Sequence, residues 1–479
     1  MEIEHLGAAR EVTGSKHVVR TTGATLLLDC GLFQGRRREA NAKNRALGID
    51  PSELDAVILS HAHIDHSGAL PILVKRGYRG PIYTTPATRD LCAAMLADAA
   101  LIQEADARYI NRAIERDGAN MDHVEPLYTP PDVLAVLSQM VCVPYHRRQL
   151  VAPGVHATFL DAGHVLGSAI TVLDAEEGIE DGRSTVHRIA YSGDLGRRGL
   201  PILRDPEIPD GVELLLMEST YGDRLHAPAA EMEPALASVI RRVVARGGKV
   251  VIPSFALERA QEVIYALRRL QLRKEIPQVP VYVDSPLTVK VTDVFKLHPE
   301  CYDDVTRALI LGASSPFDFP GLRYVEDVEE SKAISASREP AIIISASGMC
   351  EAGRVVHHLR TTVEDARNAV VIVGFQARHT LGRRIVEHRP RIRIFGVERE
   401  LRAEVVVLDG FSAHADLADL VDFAERVRAH GPLRKIVLVH GEPEAQELLR
   451  RELGKHHFPS VACPATGDIS SVAPRDPPT

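Results

Sequence analysis

A chain of 479 residues has room for about two to four domains and a large buried core. Its 45% hydrophobic and 25% charged content is that of a globular protein in water, and no apolar run is long enough to span a bilayer. The net charge of −8 and the absence of tryptophan argue against a uniformly basic or stacking-rich nucleic-acid binder, so any nucleic-acid partner requires a local basic patch.

Residues 1–10 carry acids and no apolar segment, which predicts no signal peptide. The six cysteines (Cys30, Cys92, Cys142, Cys301, Cys350, Cys463) form no C-x-x-C pair and read as reduced thiols in a cytoplasm. Residues 18–22 and 24–29, with Gly23 between them, predict a hairpin. Asp29 closes its second strand. It either orients a metal-binding histidine from behind or caps the strand end, and both readings stand at this point.

Residues 54–59 are branched and apolar and read as a buried strand. The run Ser60-His61-Ala62-His63-Ile64-Asp65-His66-Ser67-Gly68 follows, with a helix predicted from residue 69. Three histidines and one aspartate within six residues are too dense for an ordinary polar loop. Imidazole and carboxylate suit zinc and its neighbours. His61 and His63, two apart, can enter one site; Asp65 and His66 can reach a second ion. Gly68 lets the backbone turn into the helix.

Residues 87–139 turn helical. Residues 157–173 read as strand, loop, strand, with His164 on a glycine-flanked loop. Two further strands end at Ser192-Gly193-Asp194 and at Glu218-Ser219-Thr220-Tyr221-Gly222-Asp223. Groups able to bind metal or move protons thus recur at strand ends, where the sites of layered α/β proteins gather. Residues 223–395 alternate helix and strand, the pattern of a parallel α/β sheet. After Ile394 short strands return, one near 403–408 before Phe411-Ser412-Ala413-His414 and one at 435–439 before His440-Gly441-Glu442. The last strand is expected near Val461, and the Pro- and charge-rich tail 473–479 is expected to fray.

This order of motifs, from Ala9 to Glu442, resembles the metallo-β-lactamase fold and, more narrowly, its β-CASP nuclease branch. That branch includes the cleavage subunit of the pre-mRNA 3′-end machinery and RNase J. The resemblance implies an α/β architecture: an αββα sandwich (residues 1–212 and 393–479) with an inserted β-CASP domain (213–392). It implies two zinc ions per chain. His61, His63 and His164 would hold one, Asp65, His66 and His440 the other, with Asp194 bridging. Asp65, Glu218 and His414 are the implied catalytic set, His414 as general acid oriented by Glu218; the alternative for His414 is a cap on the following helix. The pattern departs once, at His379, which stands before Thr380 where relatives have glycine.

The implied activity is hydrolysis of RNA phosphodiesters by a two-metal mechanism, internally or from a 5′ end, leaving 5′-phosphate and 3′-hydroxyl ends. Single-stranded RNA is expected in an interdomain cleft. Residues 341–395 carry nine arginines against four acids, opposite in sign to the whole chain. Ser347 and Gly348 at an expected helix N-terminus, Arg354 about a turn inside it, Thr380 and Arg383 are the candidate phosphate contacts. A DNA nuclease of the same branch and another hydrolase of the same fold are the alternatives. His440 favours RNA over DNA, and the long insertion, Glu218 and His414 argue against a thioester or lactam hydrolase. A non-catalytic scaffold would have lost ligands that this chain keeps. Neither a C-terminal dimerisation domain nor an N-terminal RNA-binding extension is recognisable, which leaves a homodimer open.

Overall fold

Alternation along the strands sets up the layers. In Leu214–Glu218, Leu214 and Leu216 point to one face of the sheet and Leu215 and Met217 to the other, and both sets are fully buried. Such a strand needs a second sheet on one side and helices on the other. The computed structural model describes residues 1–35, 37–117, 122–180, 183–312, 314–374, 376–377 and 379–472, so the 473–479 tail lies outside the described residues.

The chain forms two compact units. The first comprises Met1–Arg198, Asp205–Leu225 and His414–Thr479; the second comprises Gly199–Arg204 and His226–Ala413. Both divisions fall downstream of the expected 212/213 and 392/393 positions.

The first unit contains two seven-stranded sheets. One runs Ile469–Ser471, Glu2–Gly7, Lys16–Arg20, Thr25–Leu28, Ala56–Ile58, Ile82–Thr84, Met140–Cys142. The other runs Val461–Ala462, Lys435–Val439, Leu214–Glu218, Arg183–Tyr191, Ala169–Glu180, Val155–Asp161, Gln149–Ala152. Their inner faces share one core, with Ile3, Leu26 and Ile58 from the first sheet against Phe159, Leu173 and Leu216 from the second. Ile170, Leu215 and Leu438 on the outer face of the second sheet pack with Leu420, Phe423 and Ala424 of helix Leu417–Ala429 and Leu449 and Leu453 of helix Pro443–Lys455. Helices Leu70–Lys75, Pro86–Asp117 and Pro130–Gln139 pack on one another beside the first sheet.

Helix Leu417–Ala429 begins at Asp416, whose carboxylate accepts from the amides of Ala418 and Asp419, while Asp419 answers the Asp416 amide. This reciprocal cap satisfies donors that a helix end otherwise leaves bare. The cap is therefore Asp416 and not His414.

The second unit holds a six-stranded sheet in the order Leu322–Tyr324, Val281–Val283, Ile342–Ser345, Val250–Pro253, Ala369–Ile372, Glu404–Val407, every pair parallel. Parallel strands are buried on both faces, which is why Ile342–Ser345 and Ala369–Ile372 read as continuous apolar runs. Two elements differ from the sequence expectation. Strand Glu404–Val407, expected among the strands that return after Ile394, pairs with Ala369–Ile372 in this sheet. Its side chains are half-buried, as befits an edge, and such a pattern does not reveal which sheet it edges. The helix expected to follow Ser345–Gly348 starts only at Arg354, after Gly353 at φ +78°, where a side chain would be strained. Among the described residues no disulfide joins the six cysteines, and no helix is long and apolar enough to cross a membrane.

Candidate metal centre

Parallel pairing brings the site together. Ala56–Ile58 runs parallel to Thr25–Leu28, so Asp29 and the His61–His66 segment leave neighbouring strands at the same end. Leu214–Glu218 runs parallel to Arg183–Tyr191 and to Lys435–Val439, which places Asp194, Glu218 and His440 together at one end of the other sheet. Crevices at the carboxyl ends of parallel strands are the usual place for such groups.

Two clusters result. In the first, His61 Nε2 lies 3.2 Å from His63 Nδ1, and His164 Nε2 lies 3.3 Å from the same atom. Asp194 Oδ2 sits 3.6 Å from both His61 Nε2 and His164 Nε2. In the second, His66 Nε2 is 3.2 Å from His440 Nε2, and Asp65 Oδ2 is 3.6 Å from His440 Nε2. Asp194 Oδ1 is 3.4 Å from His66 Nε2 and 3.3 Å from His440 Nδ1. One carboxylate thus turns one oxygen to each cluster.

The clusters fit metal ions on their own chemistry. The ligand atoms of each lie within 4.8 Å of one another. Asp194 Oδ1 is buried without a hydrogen-bond donor among the described residues, which is costly unless a cation meets it. Burial, with the His66 charge acting the same way, holds His61 well below the usual imidazole range. Burial pushes His63 down to about 4, and burial with the His414 charge lowers His164. All three are therefore neutral ligands at pH 7. Burial opposes ionisation of Asp194, but His440, His66 and His61 outweigh it and keep the carboxyl charged. Burial also opposes a charge on His66, yet the Asp194 and Asp29 carboxylates raise it well above 6.5, so a cation bound there would take the place of a proton. Nitrogen and carboxylate donors in sets of three and four suit zinc or a neighbouring transition metal.

Asp29 answers the two readings left open by the sequence. It is wholly buried and accepts from His66 Nδ1 at 2.6 Å, from the Ser60 amide at 2.7 Å, from Ser60 Oγ at 2.8 Å and from the Tyr191 hydroxyl at 2.7 Å. The Tyr191 hydroxyl is in turn 2.9 Å from Ser15 Oγ. Such a fan of donors fixes the ring plane and tautomer of His66. Gly31 makes room for it, because a Cβ there would lie 1.6 Å from the Asp65 carbonyl oxygen.

His414 stands beside the first cluster, its ring centroid 4.4 Å from that of His164. Its Nδ1 lies 3.2 Å from Glu218 Oε1 and 3.9 Å from Asp194 Oδ2. Glu218 is fully buried and held by the Leu195 amide at 2.7 Å and the Thr220 amide at 3.3 Å. Burial works against a charged His414, but Glu218 overcomes it and the pKa of the imidazole is raised.

The expected phosphate contacts of the insertion are not gathered in the same way. Arg354 Nη1 is 2.7 Å from the buried Asp284, and its guanidinium also donates to the carbonyls of Val325, Glu326 and Asp327. Asp284 also accepts from His358 Nε2 at 2.6 Å and from Ser331 Oγ at 2.5 Å. Arg354 therefore neutralises an interior carboxylate at the first position of its helix. Gly348 lies under the Phe255 ring, 2.8 Å from a would-be Cβ, and the Ser347 hydroxyl bonds within its own loop to Ala352. Thr380 caps helix Leu381–Val386 by accepting from the Arg383 amide. Arg383 is exposed and pairs with Glu387 at 2.9 Å. His379, expected from the sequence as the one departure from the family pattern, takes φ +73°, the backbone conformation that glycine favours.

Sequence reading missed Tyr191, Ser60 and Thr220 as parts of the site. Thr220 Oγ1 lies 3.1 Å from His440 Nδ1. Tyr191 and Asp29 are 162 positions apart, and only the packing of the two sheets joins them.

Residues 11–133 match the Metallo-beta-lactamase superfamily, residues 260–385 the Beta-Casp domain, and residues 398–463 the Zn-dependent metallo-hydrolase RNA specificity domain. The chain is 40% identical to Ribonuclease TTHA0252 of Thermus thermophilus over 445 residues, 93% of this chain and 94% of that one. It is 34% identical to transcription termination factor FttA of Thermococcus kodakarensis over 92% of this chain and 67% of that protein. The FttA of Pyrococcus abyssi is 33% identical over 93% and 67%. A crystal structure of an Enterococcus faecalis protein of unknown function shares the fold, with a TM-score of 0.53 and 14% identity over 98% of this chain and 99% of that one.

Proposed function

From the premise that this chain belongs to the Beta-Casp ribonucleases of the metallo-β-lactamase superfamily, and so is a hydrolase of nucleic-acid phosphodiester bonds, we propose a zinc-dependent two-metal cleavage of single-stranded RNA that leaves 5′-phosphate and 3′-hydroxyl ends. The observation that carries the reading is Asp194, whose two oxygens face two separate sets of ligand atoms.

Zinc ions at these sets would lower the pKa of water towards about 7 and spread the charge on a phosphate. The chain's own groups do the rest. Asp29 and Tyr191 hold His66 in one orientation, so that its ligand face is set in advance. His414 delivers the proton to the leaving 3′ oxygen. Its Nδ1–H is directed at Glu218, which leaves Nε2 as the atom that gives up the mobile proton. The Glu218 carboxylate favours the imidazolium, so His414 is charged when the proton is needed.

Two measurements test this reading. Elemental analysis of protein purified without chelator is expected to give two zinc equivalents, since seven ligands exceed the needs of one tetrahedral ion. Cleavage of 5′-labelled and 3′-labelled RNA by that protein, lost on chelation and restored by zinc, should yield 5′-phosphorylated fragments. A reproducible single equivalent, or cleavage that leaves 3′-phosphates, defeats the two-metal reading.

A further inference from the structure

The second unit carries a basic cavity that none of the metal-site residues touches. Helix Leu381–Val386 is followed by Arg389 and by the antiparallel hairpin Arg391–Ile394 and Val397–Glu400. Strand alternation buries Ile392 and Ile394 and leaves Arg391 and Arg393 exposed. Together with Arg384 from the helix and Arg389 from the connection, they wall an open cavity of about 290 Å³ whose other lining residues are Ile392 and Glu398.

The charges do not balance. Arg389 is held by Glu387 at 3.0 Å, a carboxylate already shared with Arg383, and Arg391 only approaches Glu398 at 3.9 Å. Among the described residues Arg384 and Arg393 have no carboxylate within ion-pair distance. Four guanidinium groups around one void, with one carboxylate on its wall, repel one another unless an anion enters. Guanidinium forks match the planar pairs of oxygens on a phosphate, and a chain of net charge −8 has no general need for such a patch.

A second feature lies beside it. Phe395 is at the hairpin tip, φ +49°, with more than half of its surface exposed and its ring 4.7 Å from that of His357. A half-exposed aromatic ring two residues from Arg393 is what a nucleobase stacks on when its backbone lies in a basic groove.

We propose that this cavity of Arg384, Arg389, Arg391 and Arg393 binds a backbone phosphate of single-stranded RNA, with a neighbouring base on Phe395. It is a subsite built wholly from the second unit, and it rests on the ribonuclease reading above. The arginines supply affinity through charge. Phe395 supplies it through stacking, which salt does not screen.

The test is RNA binding by the full zinc-loaded chain, read by anisotropy across salt concentration in the His414→Ala background, where cleavage is slowed and the cavity is untouched. Arg384→Gln with Arg393→Gln should lower the log–log salt slope by up to about 0.7, the contribution of the one phosphate charge that the variant leaves unneutralised on a single strand. Lysine at both positions should restore most of the slope, because the charge returns. Phe395→Ala should weaken binding about tenfold at every salt concentration and leave the slope alone. Zinc content and thermal unfolding of each variant establish that the fold is kept; if the double glutamine variant unfolds, the two single variants, each expected to lower the slope by a part of that roughly 0.7, decide the matter.

An unchanged slope in variants that stay folded overturns the proposal and leaves the ribonuclease reading intact. Failure of the wild-type protein to bind or cleave RNA at all defeats that reading instead. Calorimetric binding of orthophosphate that disappears in the double variant, with RNA binding unaltered, makes the cavity a free-phosphate site and overturns the RNA assignment.

Discussion

In the proposed mechanism His414 delivers a proton and holds no metal. The two groups of side chains that could hold metal ions comprise seven residues and do not include it, and the helix cap it might have supplied is Asp416. His414→Ala should therefore keep both zincs and still bind RNA, with cleavage slowed by roughly two to four orders of magnitude. A substrate with sulfur in place of the bridging 3′ oxygen needs no proton to leave, and on it wild type and variant should react at similar rates. If the variant is equally slow on both substrates, His414 is not the acid. Asp29 acts one layer back. Replacing it with Asn removes the charge behind His66 and turns one of its acceptors into a donor. Zinc affinity at the Asp65, His66 and His440 cluster should fall about 10- to 100-fold while the His61, His63 and His164 cluster is spared. Competition with a chromogenic chelator resolves the two sites; equal weakening at both would contradict this orienting role.

Among the elements, helix Arg354–Thr362 shows how a basic sequence can be committed to structure. Its first residue reaches back to Asp284 at the end of strand Val281–Val283, where His358 and Ser331 also converge. Asp284 has no exposed surface, and the Arg354 side chain is only 18% exposed. Removing one partner of such a buried pair leaves the other uncompensated, so Arg354→Ala should destabilise the second unit by about 3–5 kcal/mol. Limited proteolysis of the folded protein reports this as faster cutting within residues 226–413. A variant as protease-resistant as wild type would mean that the guanidinium is free for other work. The exposed Arg384 and Arg393 carry no such structural duty.

For the whole molecule, stability is coupled to pH through the closure of the first sheet. Strand Glu2–Gly7 lies between Lys16–Arg20 and Ile469–Ser471, and His5 is buried there with Nε2 3.0 Å from Ser470 Oγ. Burial pushes His5 from 6.5 down to about 4, against a weaker opposing pull from Asp468. The unfolded chain then binds the extra proton between about pH 6.5 and 4, so stability is full above this window and falls as pH drops through it. A shift of that size is worth about 3 kcal/mol. Guanidinium unfolding at pH 7.5 and pH 4.5 should show the loss, and His5→Gln should remove part of it, the rest coming from His61, His63 and His164, which burial lowers in the same way; a variant with the same acid sensitivity as wild type would assign the effect to those other groups.

The candidate site residues were readable because they are local. His61, His63, Asp65 and His66 occupy one turn after an apolar strand, and Asp194, Glu218 and His440 each end another, so strand prediction and residue chemistry together reached them. The parallel sheet of the insertion was readable for a similar reason, since strands buried on both faces leave uninterrupted apolar runs. What tertiary structure alone decided is pairing. Strand Glu404–Val407 could edge either sheet by its pattern, and its parallel register with Ala369–Ile372 settled the choice. Asp29 became the carboxylate behind His66, Arg354 the counter-charge of Asp284, and Asp416 the cap that His414 is not. Each choice depends on which side chain meets a buried group across a large sequence separation. A residue's type states what partner it needs, but only the packed sheets determine which partner is within reach.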